Sequence, residues 1–305
     1  MSDSDDDLSP AVTRIIKKDN KKDSNKIIIP TSSEFIQITI YIILCNKSIF
    51  EIPPDIKSLK NLEIIDLSNN EIKEFPNDIL KYLYKLEILN LSNNKITSIT
   101  EEINFLTNLK ILDLSNNQID KISLSVKYNE IDMISLPFEY RNKCFYLSSL
   151  KKLYLNNNQI KKIPVEIKFL TNLEILDVSN NELKQIPTEI KYLDKLQKMY
   201  INNNKIKEIP KGIKLLKSLE ILDLSNNLLT ENLAELKYFT QLKLLDLSNN
   251  RIKEIPQEIK DLSDLEILDL SNNQIKNKFT KIKYLKNIKI FDLSNNQISE
   301  TSTEL

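Results

Sequence analysis

Aliphatic residues return along this chain at fixed intervals, most plainly in the stretch Leu265 to Ile275, LEILDLSNNQI. Written L-x-x-L-x-L-x-x-N-x-L, the phrase begins at Leu62, Leu86, Leu109, Leu150, Leu173, Leu196, Leu219, Leu242, Leu265 and Ile288. From Leu150 onward the step is a constant 23 residues. Leu265, Leu268 and Leu270 face one way while Asp269 and Ser271 face the other, which is the two-residue alternation of a β-strand. One strand cannot bury its apolar face alone, so the units are expected to stack, strand beside strand, around a continuous core. About eleven parallel strands follow, spanning about 50 Å.

The second half of each unit carries its own pattern. Ile255, Pro256, Ile259 and Leu262 recur as Ile163, Pro164, Ile167 and Leu170, and as Ile186, Pro187, Ile190 and Leu193. Aliphatics at that spacing make a helical stripe, and Pro followed by Glu fits the first turn of a short helix or 3-10 turn. The Pro is not kept in every unit, with Leu233 and Phe279 in its place in two of them. The ninth place of the phrase holds Asn70, Asn94, Asn117, Asn158, Asn181, Asn204, Asn227, Asn250, Asn273 and Asn296. A polar amide among buried aliphatics must bond backbone groups where the chain turns inward, so this ladder is a structural device and not a site.

The frame also shows where the chain departs from it. Residues 1–26 join an acidic start, SDSDDD, to a basic stretch, RIIKKDNKKDSNK, and offer too little apolar surface to fold, so disorder is expected. The solenoid is expected over 27–305, with 27–61 as N-terminal cap and degenerate first repeat. There Thr39, Ile42, Leu44 and Ile49 keep the frame, Lys47 takes the Asn place and Cys45 the outward one. The step from Leu109 to Leu150 is 41 residues, 18 beyond one period, which puts an insertion at 123–140. Its sequence, SLSVKYNEIDMISLPFEY, alternates well enough for a hairpin, and Leu147 and Cys144 then hold convex core places. Such an insertion is either functional or a surface loop tolerated cheaply. The chain closes on SETSTEL with no recognisable cap, so a partner or a second copy covers the last core layer by self-association, or the end frays.

Composition narrows the chemistry. With 43 basic and 43 acidic residues the formal charge is zero, which argues against nucleic acid and anionic membrane and leaves another protein as partner. The chain has no His, so the usual general base, the Ser-His and Cys-His pairs and most transition-metal sites cannot be built. Gly212 is the only glycine, so neither a P-loop nor a dinucleotide-binding turn can be written. A non-enzymatic protein without cofactor or metal is expected. Only Cys45 and Cys144 are present, too far apart in the array for disulfide-bonded end caps, and Met1 to Asp7 is acidic where a secretory signal is basic and then apolar. The most apolar run, Phe35 to Cys45, is about half a membrane span. A cytoplasmic protein without membrane insertion is the expectation.

Taken together, L-x-x-L-x-L-S-x-N-x-I-x-x-I-P-x-x-I-x-x-L resembles the intracellular 23-residue leucine-rich repeats of Ras-associated scaffolds, erbin and scribble among them, and of the plant intracellular Ras-group-related repeat proteins, over residues 39–298. The resemblance implies an α/β leucine-rich-repeat solenoid, with parallel strands on the concave face and short helices or 3-10 turns on the convex one. It also implies a scaffold or protein-protein interaction module in intracellular signalling. A regulator of an enzyme, such as a small GTPase or a protein phosphatase, is the alternative it leaves open.

Two units break the outward-facing pattern: Lys152, Tyr154 and Asn156 in one, Lys198, Tyr200 and Asn202 in the other, flanking Asp177. Tyrosines two strands apart lie about 10 Å from each other. Tyr is enriched in binding hot spots, and an aromatic pair framed by lysines suits a partner surface with an apolar knob and an acidic rim. Duplication of two alternating ancestral units would leave the same pattern. The regular units carry Asp223, Asp246, Asp269 and Asp292 in a row about 4.8 Å apart, expected to be solvated and partly neutralised by nearby lysines. An open strand face offers too few oxygens to wrap a calcium ion.

Overall fold

The computed structural model describes residues 39–124, 146–230, 233–276 and 284–298. The strands are β1 (Tyr41–Ile43), β2 (Ile64–Asp66), β3 (Ile88–Asn90), β4 (Ser98–Ile99), β5 (Ile111–Asp113), β6 (Lys121–Ile122) and β7 (Lys152–Tyr154). They continue as β8 (Ile175–Asp177), β9 (Lys198–Tyr200), β10 (Ile221–Asp223), β11 (Leu244–Asp246), β12 (Ile267–Asp269) and β13 (Ile290–Asp292). Apart from β4 and β6, which pair with each other, they form one 11-stranded parallel sheet in chain order. Register is kept at one repeat per strand, as in Leu222↔Leu245 and Leu245↔Leu268. The sheet is therefore a set of columns in which each residue lies beside the same place of the units before and after.

Each strand ends because the backbone turns into the left-handed region three residues after its carboxylate place. Asn69, Asn93, Asn116, Asn157, Asn180, Asn203, Asn226, Asn249, Asn272 and Asn295 all have φ between 52° and 56°. That region favours glycine, then asparagine, and a chain with a single glycine uses asparagine. The doubled Asn of the SNN phrase thus has two causes, of which the hydrophobic pattern reveals only the second.

The second Asn ties unit to unit. Asn181 donates through Nδ2 to the carbonyl oxygens of Leu155 (2.9 Å), Val178 (3.1 Å) and Ser179 (3.0 Å), and its Oδ1 accepts the Ile160 N–H at 2.9 Å. Asn70, Asn250 and Asn296 make the same set of contacts at the start, middle and end of the array. The serine between strand and turn does not face solvent as its alternation suggests. Ser179, Ser225 and Ser271 are buried, because the inward turn begins there and neighbouring units cover so short a side chain.

On the convex side the units form 3-10 helices, among them Val165–Phe169, Thr188–Tyr192, Lys211–Leu215 and Gln257–Asp261. The Pro sits one place earlier than the first turn, at the N-cap, with extended backbone at Pro164, Pro187 and Pro210. A ring that fixes φ and lacks an N–H suits that place, since the first helical amides have no partner anyway. The step from Leu62 to Leu86 is one residue longer than the 23-residue period, and there a four-residue α-helix, α1 (Asn77–Leu80), replaces the 3-10 turn. Gly212 marks a close approach: a Cβ there would stand 2.9 Å from the Thr188 carbonyl oxygen.

The core is the line of inward Leu and Ile running the length of the array, with Leu222, Leu245 and Leu268 wholly buried. Ile42, Leu44 and Ile49 join it in the degenerate first unit. At the other end Ile290 is 54% exposed, and Phe291 and Leu293 are half-buried where Leu268 and Leu270 are covered. Ile111 pairs with Lys152, so β5 and β7 are direct neighbours and the insertion leaves the sheet unbroken. Leu147 is buried at its convex place. The tail 1–26, residues 27–38, most of the insertion with Cys144, Phe279 and the last seven residues lie outside the described residues.

Candidate functional site

Three columns cross the concave face. Two residues before the end of each strand runs Ile111, Lys152, Ile175, Lys198, Ile221, and at the strand end runs Asp113, Tyr154, Asp177, Tyr200, Asp223. Two residues further on stand Ser115, Asn156, Ser179, Asn202 and Ser225. The structure therefore gathers Lys152, Tyr154, Asn156, Asp177, Lys198, Tyr200 and Asn202 on adjacent strands of one surface. The seven are half-buried there.

The three changes in each deviant unit belong together. In regular units the carboxylate holds the turn: Asp113 Oδ1 accepts the Ser115 N–H at 2.9 Å. Asp177 Oδ1 likewise accepts both the N–H (3.0 Å) and the hydroxyl (2.7 Å) of Ser179. A tyrosine cannot accept in that way, and where Tyr154 and Tyr200 stand, Asn156 and Asn202 replace the serine. Ile-x-Asp-x-Ser becomes Lys-x-Tyr-x-Asn twice, on either side of a regular unit. Asp113 and Asp223 complete the row; the sequence reading places Asp223 among the regular carboxylates, outside the site, and does not name Asp113. The frame contained the signal, but the 41-residue step hides that Asp113 is next to Tyr154.

The electrostatics correct the expected neutralisation by lysine. Lysines do pair across strands, but with glutamates in other columns: Lys110 with Glu87 (2.7 Å), Lys151 with Glu174 (3.0 Å), Lys243 with Glu220 (2.8 Å) and Lys289 with Glu266 (2.8 Å). Among the described residues no ion pair reaches the Asp row. Lys and Glu meet one repeat apart in their own column, closer to each other than to the strand-end carboxylates. Burial raises the pKa of Asp177, against the lowering bonds from Ser179, and the Asp113 charge raises it further. Asp223 and Asp246 are raised in the same way, by burial first and by neighbouring aspartates after it. Burial also raises the phenols of Tyr154 and Tyr200, helped by the carboxylates on either side.

A pH dependence follows. A carboxylate whose folded pKa is raised binds its proton more tightly in the native state, so its ionisation destabilises the fold above that pKa. The penalty is relieved as pH falls toward the unfolded value of 3.8. Changing Asp223 and Asp246 together to Asn is expected to raise the thermal midpoint at pH 7 and to make no difference below the unfolded value. Calorimetry at both pH values checks this, and a gain independent of pH would show that the row is not under electrostatic strain. Asn90 already fills an Asp place in β3, with Oδ1 accepting the Ser92 N–H at 3.0 Å, so the change is compatible with the turn.

Among the described residues no helix is long and apolar enough to cross a membrane. A leucine-rich repeat region model matches residues 140–236, and leucine-rich repeat models match 41–96, 60–119, 108–138 and 240–284. No curated protein matches the sequence. Among solved structures, a TDR receptor is 26% identical with a TM-score of 0.72, over 87% of this chain and 44% of the receptor. An internalin of Listeria monocytogenes is 26% identical with a TM-score of 0.53, over 92% of this chain and 87% of its own. A leucine-rich-repeat protein of Leptospira interrogans is 31% identical with a TM-score of 0.66, over 88% of this chain and 70% of that one. With that likeness held along nearly all of the repeat array, the chain belongs to the leucine-rich-repeat family, and its fold is that of a protein-interaction module.

Proposed function

We propose that the chain is a cytoplasmic, non-enzymatic scaffold or adaptor that binds one partner protein on its concave face over β7, β8 and β9. The observation that carries the reading is the paired replacement of an aliphatic and a carboxylate by Lys and Tyr, which places Tyr154 and Tyr200 on either side of Asp177. Tyrosine offers large contact area with few rotatable bonds and dominates hot spots out of proportion to its abundance. The free Cys45 and the scarcity of cysteine support a reducing compartment. The likeness of the repeat to those of Ras-associated scaffolds supports a place in signalling.

Proximity labelling from the intact chain identifies the partner, and a binding comparison then tests the face. Tyr154→Ala and Tyr200→Ala are each expected to cost about 2 kcal/mol or more, roughly thirtyfold in affinity. Asp246→Ala and Asp269→Ala, in the regular units beyond, should matter far less. Equal losses in both sets would make the deviant units a record of duplication, with no site there.

A further inference from the structure

We propose that Tyr154, Asp177 and Tyr200 form a slot for one arginine side chain of the partner, with Lys152 and Lys198 facing acidic groups beside that arginine. This rests on the concave-face reading above and adds the chemistry of the group that enters. Tyr154 and Tyr200 each pair directly with Asp177, so the carboxylate lies midway on the floor between two rings whose backbones are about 10 Å apart. A guanidinium is planar, stacks on aromatic faces and presents a fork of N–H donors to a carboxylate.

The carboxylate is available for that role. Both bonds to Ser179 fall on Oδ1 of Asp177, and Oδ2 makes no hydrogen bond among the described residues. Neither tyrosine hydroxyl is engaged there, and no ion pair reaches Asp113, Asp177 or Asp223. An apolar knob would cover three half-buried carboxylates without supplying a counter-charge, which is costly. An anionic group would add repulsion. A cation relieves both, so charge selects the occupant.

The lysines limit the slot to one cation. Lys152 and Lys198 flank Ile175 in the adjacent column and make no ion pair among the described residues. They repel a second basic group and leave two positive heads for carboxylates on the partner. An arginine standing among acidic residues satisfies both columns at once, whereas a uniformly basic segment satisfies only the Asp row.

The test uses the full chain with carbon-13 in its tyrosine rings, the Tyr154 and Tyr200 signals being assigned by Tyr→Phe substitution. The probes are Nα-acetylarginine methylamide, its neutral isostere acetylcitrulline methylamide, and acetylleucine methylamide. The arginine probe is expected to shift both ring signals saturably, and the citrulline and leucine probes are not. Asp177→Asn should weaken the arginine probe roughly tenfold or more, while Asp246→Asn leaves it unchanged; Asn90 shows that the substitution suits the turn. An arginine probe that moves neither ring, or binds Asp177→Asn equally well, or is outdone by leucine, overturns the slot. If the partner is lost on Tyr154→Ala and Tyr200→Ala in that case, the docking face stands without the slot. A partner indifferent to both substitutions overturns the docking face and the slot with it.

Discussion

Replacing Phe239 with alanine is expected to cost about 3 to 5 kcal/mol of folding stability. Phe239 is wholly buried and heads the fully enclosed side chains by volume. It closes the 3-10 helix Ala234–Tyr238, its N–H donating to the Leu236 carbonyl at 3.0 Å. Other units hold leucine at the same place, as at Leu193, Leu216 and Leu262, and keep Pro where this unit has Leu233. This unit has therefore repacked around a larger group, and truncation leaves a cavity that the rigid stack on either side cannot close. Phe239→Leu should cost much less, since neighbouring units are built on that side chain. Urea titration followed by circular dichroism separates the two. Equal midpoints for the Ala and Leu variants would mean that the ring is not packed as described.

The second large effect is expected from the asparagine ladder. Asn181→Leu should cost on the order of 3 kcal/mol, although it adds apolar volume to an apolar neighbourhood. The Asn181 Oδ1 is the acceptor for the Ile160 N–H in the unit before it, and nothing else among the described residues takes that proton. Its Nδ2 also bridges carbonyls of two units, so the substitution strips bonds from both sides of one interface. In a stack held only by nearest-neighbour contacts, one weakened interface invites unfolding to start there. Asp177→Asn, on the opposite face of the same unit, keeps an Oδ1 for Ser179 and should lose no stability at pH 7. If both variants unfold at the same urea concentration, the inward and outward assignments of these two positions are wrong.

Much of the site was visible before the fold. Tyr154, Tyr200 and their lysines stand out because the other units from β2 on carry Ile or Leu at the first of those places and Asp or Asn at the second. What entered only with the structure was the row in which they sit. The adjacency of Asp113 to Tyr154 crosses a 41-residue step, and the availability of Asp177 depends on which oxygen Ser179 engages. The uncompensated charge of the row is not legible in the sequence, where lysines are plentiful nearby, because their partners are glutamates one repeat away.

The sequence by itself determined the parallel strands, their spacing, their register and the place of the Asn ladder. Those follow from a two-residue alternation and a constant period, which are properties of the backbone and need no knowledge of neighbours. The tertiary structure decided the rest. Ser179 and Ser271 are buried although alternation turns them outward, and the first Asn of each pair proves to hold a left-handed turn. Asp177, Asp223 and Asp246 become half-buried, with pKa values raised first by that burial, only because like units stack on both sides. Burial, charge compensation and turn geometry are set by contacts one unit away, and a repeat, read singly, contains none of them.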